Sequence, residues 1–365
     1  MSYSLGDKFK VTVFGQSHSQ EMGVVIDGLP AGIFIDKSFI KEELNRRRPG
    51  KNAYSTSRNE KDEFKLVSGI VDGYSCGAPI CGIIENNDNR SKDYSNIKDS
   101  PRPSHADYPA FEKYNGYNDI RGGGQFSGRL TAPLTIAGAI SKDILKKENI
   151  FIASHIKSIY NINDKKIDIS KLEYNDFKNI REKSFPVLND NAGIEMIKVI
   201  EDAKNNNDSV GGVIEIIVFG LPVGVGEPLY DSIESKISAA VFSIPGVRGI
   251  QFGMGFEATK MFGSEHNDEY YYDNGKVKTK TNNHGGAIGG LSTGMPLVFQ
   301  VAIKPTSSIA KIQNTINLKE KNDTKLEIVG RHDPCIVPRA LPAIETITAI
   351  TLLDLMMLGD FYGTR

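Results

Sequence analysis

The stretch 337–358 constrains this 365-residue chain more than any other. It reads as one long, mostly apolar helix, and such a helix has to be enclosed by the rest of its protein. Its most apolar part, 347–358, carries Asp354. No uncharged apolar run in the chain reaches the ~18 residues that a membrane span requires. The segment is therefore expected to be a buried helix in a protein with no membrane partner. Hydrophobic residues at 39% and charged residues at 24% fit that globular class.

Around it, the periodicity alternates between strand and helix. Strands are expected at 10–14, 23–27, 66–71, 80–85, 151–159, 213–219, 247–252 and 297–303. The run 213–219 is almost continuously apolar, so it is placed at the centre of a sheet. Helices are expected at 38–48, with Ser38 as N-cap and Pro49-Gly50 as stop, and at 106–114, 127–147, 194–203 and 232–243. The segments 161–183, 204–209, 265–284 and 313–325 are rich in Asn, Lys and Asp and read as solvated excursions. No Pro/Ser-rich linker marks a boundary, so one domain over 1–365 is expected. Strand pairs without obligatory crossover helices favour an α+β fold over a doubly wound sheet, with a loose internal duplication of strand–strand–helix pattern.

The net charge of -1 provides no global field toward nucleic acid or an anionic membrane. Anion binding has to come from local clusters. The three cysteines, Cys76, Cys81 and Cys335, are too few for a disulfide framework and lack zinc-ligand spacing. Together with an N-terminus lacking an apolar signal segment, they point to the cytoplasm.

The clusters are specific. Arg121-Gly122-Gly123-Gly124 precedes the 127–147 helix, and Arg121 and Arg129 flank it; bare backbone N–H groups there would hold an anion. The run is neither a P-loop, since no Gly-Lys-Ser/Thr follows, nor a dinucleotide fingerprint, since Ser127 stands at the third glycine. Lys304-Pro305-Thr306-Ser307-Ser308 offers a cation and three hydroxyls after a strand, and 283–290 is a second glycine-rich stretch suited to a planar ligand. The alternatives are an ordinary helix cap and a glycine hairpin. Arg46-Arg47-Arg48 ends a helix, where cations also serve the helix dipole, and its adjacent side chains diverge so that at most two reach one ligand.

Proton carriers lie nearby in sequence: His18 in Gly15-Gln16-Ser17-His18, His105 in Arg102-Pro103-Ser104-His105-Ala106-Asp107, and Asp333 in Gly330-Arg331-His332-Asp333-Pro334-Cys335. A histidine beside dense guanidinium can protonate a leaving oxygen of a bound polyanion. His155, in an apolar strand, and His266, in an acidic loop, are read as bland, and no spacing suggests a metal.

In order and spacing these pieces closely resemble the chorismate synthase family, from about Gly6 to about Leu358. The anchors are Phe14-Gly15-Gln16-Ser17-His18, Arg46-Arg47-Arg48-Pro49-Gly50, the 84–94 segment, Arg102-Pro103-Ser104-His105-Ala106-Asp107-Tyr108, the Arg121 glycine run, 221–228, Lys304-Pro305-Thr306-Ser307-Ser308 and Gly330-Arg331-His332-Asp333-Pro334-Cys335. The resemblance implies a lyase that converts 5-enolpyruvylshikimate 3-phosphate to chorismate and phosphate by 1,4-elimination. It implies reduced FMN as cofactor, a homotetramer, and a subunit with helices sandwiched between antiparallel sheets. By position it assigns His18 to the departing phosphate, His105 to the reduced flavin and Asp333 to proton handling near the flavin N5. Substrate contacts fall on Arg47, Arg121, Arg129 and Arg331. FMN contacts fall on Gln125, Phe126, Ser127, Ile244, Pro245, Gly289, Lys304, Pro305, Thr306, Ser307, Ser308 and Arg331.

The chain departs from the family pattern at Gln16 and Ser19, where Glu and Gly are usual, and at Gln125 and Phe126, where Arg and Ser are usual. Pro245 stands where many members have Asn, and Ala53 where many have Arg, a position linked to nicotinamide binding. An active enzyme with altered flavin affinity is expected. A relative that binds anion and flavin without turnover is the competing reading. Whether NADPH serves as its own electron source or a separate flavin reductase does so stays open.

Overall fold

The computed structural model describes residues 3–48, 62–86, 97–328 and 333–362. Strands β1 (Ser4–Leu5), β2 (Lys10–Phe14) and β3 (Glu21–Asp27) lead into helix α1 (Lys37–Arg47). Asp36 caps this helix, accepting from Ser38 N at 2.8 Å, so the cap falls two residues before the expected Ser38. The expected stop at Pro49-Gly50 lies outside the described residues. The expected strand 66–71 is two pieces, β4 (Phe64–Ser68) and β5 (Ile70–Val71), and β5 turns back as a hairpin with β6 (Tyr74–Ser75). With β7 (Ile80–Glu85) these complete an antiparallel sheet in the order β1-β2-β3-β7-β4.

Helices α2 (Asp107–Lys113) and α3 (Thr131–Lys147) precede the second sheet. That sheet contains β8 (Phe151–Ile159), β9 (Ile162–Asn163), β10 (Gly212–Phe219) and β11 (Val247–Phe252). Between these strands run α4 (Tyr174–Lys178), α5 (Asp190–Asn205) and α6 (Ile233–Val241). After the short helix α7 (Gly263–His266) come the hairpins β12 (Tyr270–Asp273) with β13 (Lys276–Thr279) and β14 (Ala287–Ile288) with β15 (Leu291–Ser292). Strand β16 (Leu297–Ile303) returns to the second sheet, whose antiparallel order is β11-β16-β10-β8-β9. A last hairpin, β17 (Gln313–Asn317) with β18 (Asn322–Leu326), precedes α8 (Val337–Leu358).

Helix α3 packs on β3 and β7, α8 packs on β8 and β10, and the two helices pack on each other between the sheets. The expected α+β sandwich of helices between antiparallel sheets is thus the observed fold, and the two five-stranded sheets with their inner helices are its loose duplication. Gly138 permits the contact: a Cβ there would lie 2.5 Å from the Thr346 side chain. All residues of α8 from 340 to 357 are buried. The helix is long and apolar enough to cross a membrane, yet 94% of its most apolar window lies inside the protein. The charge in its most apolar part is satisfied. The Asp354 carboxylate accepts the backbone N–H groups of Asp7, Lys8 and Phe9 at 2.8–3.0 Å.

Strand β10 is central, as its apolar run requires, because both its faces are covered. Ile214, Ile216 and Val218 join the core around α8. Ile217 and Phe219 pack outward on Phe177 and Ile180. This corrects the reading of 161–183 as a solvated excursion: its scattered Ile167, Ile169, Leu172, Phe177 and Ile180 form the outer layer of the second sheet. Their hydrophobic spacing is too irregular to announce an element, but full burial of Phe177 and Ile180 still contributes about 1.5–3 kcal/mol each.

Candidate active site

The arginines at the end of α1 diverge as their adjacency demands. Arg46 turns into the core, where it meets Glu43 at 3.1 Å and Glu345 at 2.7 Å. Arg47 turns the other way, toward a cavity of about 530 Å³ at the first turns of α3 and α8. Its Nη1 donates to Asp62 Oδ2 at 3.0 Å and its Nε to Thr131 Oγ1 at 3.1 Å. Arg129, in the 3-10 turn before α3, donates through Nη1 to the other Asp62 oxygen and through Nε to Asn86 Oδ1 at 3.3 Å. The cations lining the cavity are Arg47, Arg102, Arg129, Lys304 and Arg339; Asp333 is its one lining carboxylate among the described residues.

The glycine run does not open α3 as expected. Gly122, Gly123 and Gly124 form a tight turn at φ of 59°, 86° and 53°, and the helix starts later, at Thr131. Their function in the fold is spacing. A Cβ on Gly122 would lie 2.5 Å from His18 Cε1, and one on Gly123 would lie 3.3 Å from His105 Nε2. Bare backbone therefore threads between the two histidines. Gly122 and His105 line the cavity. His18 is buried directly behind Gly122, with its Nδ1 at 3.2 Å from Ser17 Oγ. Ser17 N donates to Gly124 O at 3.1 Å, which fixes the loop to the glycine turn.

His105 is held by its own short motif. Its Nδ1 lies 2.6 Å from Asp107 Oδ1 and 3.1 Å from Arg102 Nη2. Arg102 in turn donates through Nε to Asp107 Oδ2 at 2.7 Å and through Nη1 to Ser308 Oγ at 3.1 Å. Burial pushes the His105 pKa below its ordinary value; Asp107 pulls the other way, and Arg102 and Lys304 add to the lowering. The ring is neutral near pH 7. Burial alone would raise the Asp107 carboxyl, but Arg102 and His105 outweigh it and hold the group well below the usual carboxylate range.

Beside His105, Lys304 Nζ donates to Ser104 O at 2.5 Å and lies 3.5 Å from Ser307 Oγ. Burial and the nearby Arg248 charge lower its pKa. Thr306 Oγ1 is buried with no hydrogen-bond partner among the described residues. Pro305, Gln125, Phe126, Ser127, Ile244 and Pro245 also line the cavity. Asp333 accepts a hydrogen bond from Arg339 Nη1.

Several residues assigned by position lie elsewhere. Arg121 is half-exposed and pairs with Asp119 at 2.8 Å, outside the cavity lining. Gly289 occupies the turn between β14 and β15, where the second glycine stretch forms a hairpin away from the cavity. Arg331, with Ala53, is outside the described residues. Sequence reasoning gave no role to Arg102, Asp62, Asp107 or Arg339. Arg102 and Asp107 sit in the motif of His105, and Arg339 is a lone cation opening an apolar helix, so those signals were present. Asp62 lies in the charged run 60–63 and carries no local mark.

The family model of chorismate synthase matches residues 9–357. The chain is 45% identical over 366 residues to the chorismate synthase of Methanococcus maripaludis, covering 98% of each. It is 45% identical over 374 residues to that of Methanocaldococcus jannaschii, covering 98% of this chain and 96% of the relative. A crystal structure of chorismate synthase superposes with a TM-score of 0.76 at 25% identity, over 97% of this chain and 93% of the other. With matching sequence along nearly its whole length and the same fold, the chain belongs to the chorismate synthase family.

Proposed function

We propose that the cavity between α3 and α8 is where this enzyme, a carbon–oxygen lyase, eliminates phosphate from 5-enolpyruvylshikimate 3-phosphate to give chorismate. The observation that carries the reading is the lining: five cations and one carboxylate among the described residues converge on one site beside two histidines. The substrate has a phosphate and two carboxylates, and such groups are taken by guanidinium forks. The substitutions at Gln16, Ser19, Gln125 and Phe126 favour a turnover-deficient binding protein, but His18, His105, Arg129 and Asp333 are all retained.

The donor set suits FMN. Thr306 has a buried hydroxyl in need of a partner, Lys304 and Ser307 stand beside it, and Phe126, Ile244 and Pro245 offer apolar surface for a flavin ring. Gln125, Ser127, Pro305 and Ser308 complete the lining on that side. When bound, reduced FMN supplies electron density to the allylic system and takes it back, so the reaction has no net redox change.

The chain's own residues do the rest. Arg47 and Arg129 bind and orient substrate carboxylate, with Arg331 added from outside the described residues. His18, beside Gly122, gives a proton or hydrogen bond to the departing phosphate oxygen. Neutral His105 donates its Nδ1–H to Asp107, which fixes the ring, and presents Nε2 as an acceptor toward the flavin. Asp333, held by Arg339, would accept the proton released from the substrate C6. Arg121 stays with Asp119 and shapes the glycine turn. The enzyme works as a cytoplasmic homotetramer of one-domain subunits, with FMN reduced by NADPH on the enzyme or by a separate reductase. Exposed Phe256, Phe262, Tyr270 and Tyr272 support the assembly, and the core shared by both sheets supports the single domain.

The test is anaerobic chorismate formation from 5-enolpyruvylshikimate 3-phosphate with dithionite-reduced FMN. Product with flavin and none without it is expected. Product without flavin overturns the cofactor; no product from folded protein with saturating reduced flavin overturns the lyase.

A further inference from the structure

Two of the arginines that line the cavity, Arg47 and Arg129, come from separate elements and share the Asp62 carboxylate. Asp62 precedes β4, and its side chain is fully occluded from solvent. One oxygen accepts from Arg47, at the end of α1, and the other from Arg129, ahead of α3. Arg47 is anchored further by Thr131 Oγ1 and by Gly128 O at 3.3 Å, both beside Arg129 in sequence. Two guanidinium groups this close repel each other where water does not screen them. The carboxylate between them offsets that repulsion. It also sets the planes of both forks, because each is tied to a different oxygen of one planar group.

We infer that Asp62 is a positioning residue for the elimination: it acts through Arg47 and Arg129 to hold the substrate carboxylate in line for reaction. This rests on the reading of those arginines as substrate ligands. Asp62→Asn keeps shape and one acceptor but removes the charge. Both guanidinium groups stay, so attraction for the anionic substrate persists while its orientation relaxes. Small misplacements of this kind lower the rate of the chemical step by up to about a hundredfold.

The test is steady-state kinetics with 5-enolpyruvylshikimate 3-phosphate and chemically reduced FMN, on wild type, Asp62→Asn, Asp62→Glu, Arg129→Lys and the Asp62→Asn/Arg129→Lys pair. For Asp62→Asn a tenfold or greater loss of kcat with KM changed less than threefold is expected. Asp62→Glu recovers part of that loss, and the double variant loses less than the product of the two single losses. An unchanged kcat in folded Asp62→Asn, a raised KM at constant kcat, or multiplicative losses in the double variant would each overturn the inference. Loss of folding in both Asp62 variants would assign the carboxylate to structure instead. A wild type that makes no chorismate refutes the reading beneath it, a result distinct from all of these.

Discussion

Gly122 shows how a residue without a side chain can be the most constrained position in a site. Its φ of 59° and the His18 ring 2.5 Å from where a Cβ would sit leave no room for alanine. Gly122→Ala is expected to cost about 1–3 kcal/mol of stability through backbone strain. It should also slow turnover by displacing His18. Denaturant unfolding and chorismate formation measure the two effects; wild-type values for both would mean that the glycine is only a turn. The position was readable in the sequence, since three consecutive glycines beside arginines already marked a place where backbone meets ligand. Its neighbours were not readable. That His18 and His105 stand on either side of the glycines depends on chain separated by tens of residues, and Asp62 joins the site from an ordinary-looking charged run.

At the scale of elements, the second sheet is fastened by a buried trio. His155 of β8 meets Asp164 at 3.0 Å and Glu215 of β10 at 2.9 Å. Asp164 also accepts from Leu188 N at 2.6 Å and Asn189 N at 2.9 Å, tying the outer layer down just before α5. Burial alone would lower the His155 pKa, but the two carboxylates outweigh it and raise it. Asp164 and Glu215 are lowered against burial, chiefly by hydrogen bonds from His155. The His155 contribution is full below its unfolded pKa of about 6.5 and is lost as pH rises through the raised folded value. The carboxylate contribution is present above about pH 4 and is lost as pH falls through the lowered values. His155→Phe should therefore cost about 1–3 kcal/mol by taking one charge-assisted hydrogen bond from each of two buried carboxylates, although Glu215 keeps Lys157 and Gln300 and Asp164 keeps its backbone donors. The loss should be largest between about pH 4 and 6.5. Unfolding free energies of both proteins across that range check it, and a pH-independent difference would contradict the trio. The bland reading of His155 holds in that it lies in the sheet, away from the cavity. Its structural importance was invisible because its partners come from other elements.

For the whole molecule, the strands and long helices were legible because their burial is simple. The fully enclosed α8 reads as an apolar run, and β10 reads so for the same reason. Segments buried on one irregular face, such as 161–183, resemble solvated loops in composition and are recognised only when packed. The helices between the two sheets share a buried charge cluster. Glu345 of α8 takes Arg46 at 2.7 Å and Lys142 of α3 at 2.5 Å, and Lys142 also reaches Glu43 of α1 at 2.5 Å. That cluster fixes α1 beside α3 and α8, and so places Arg47 and Arg129 on one wall of the cavity and Arg339 on another. The central claim is that elimination occurs in this cavity with His18 as donor to the leaving phosphate. Its most direct test is single-turnover phosphate release, under anaerobic conditions with reduced FMN, by wild type and His18→Ala. A fall in rate of about 10²–10⁴-fold, with substrate affinity nearly unchanged, is predicted. Phosphate released by His18→Ala at the wild-type rate would contradict the claim.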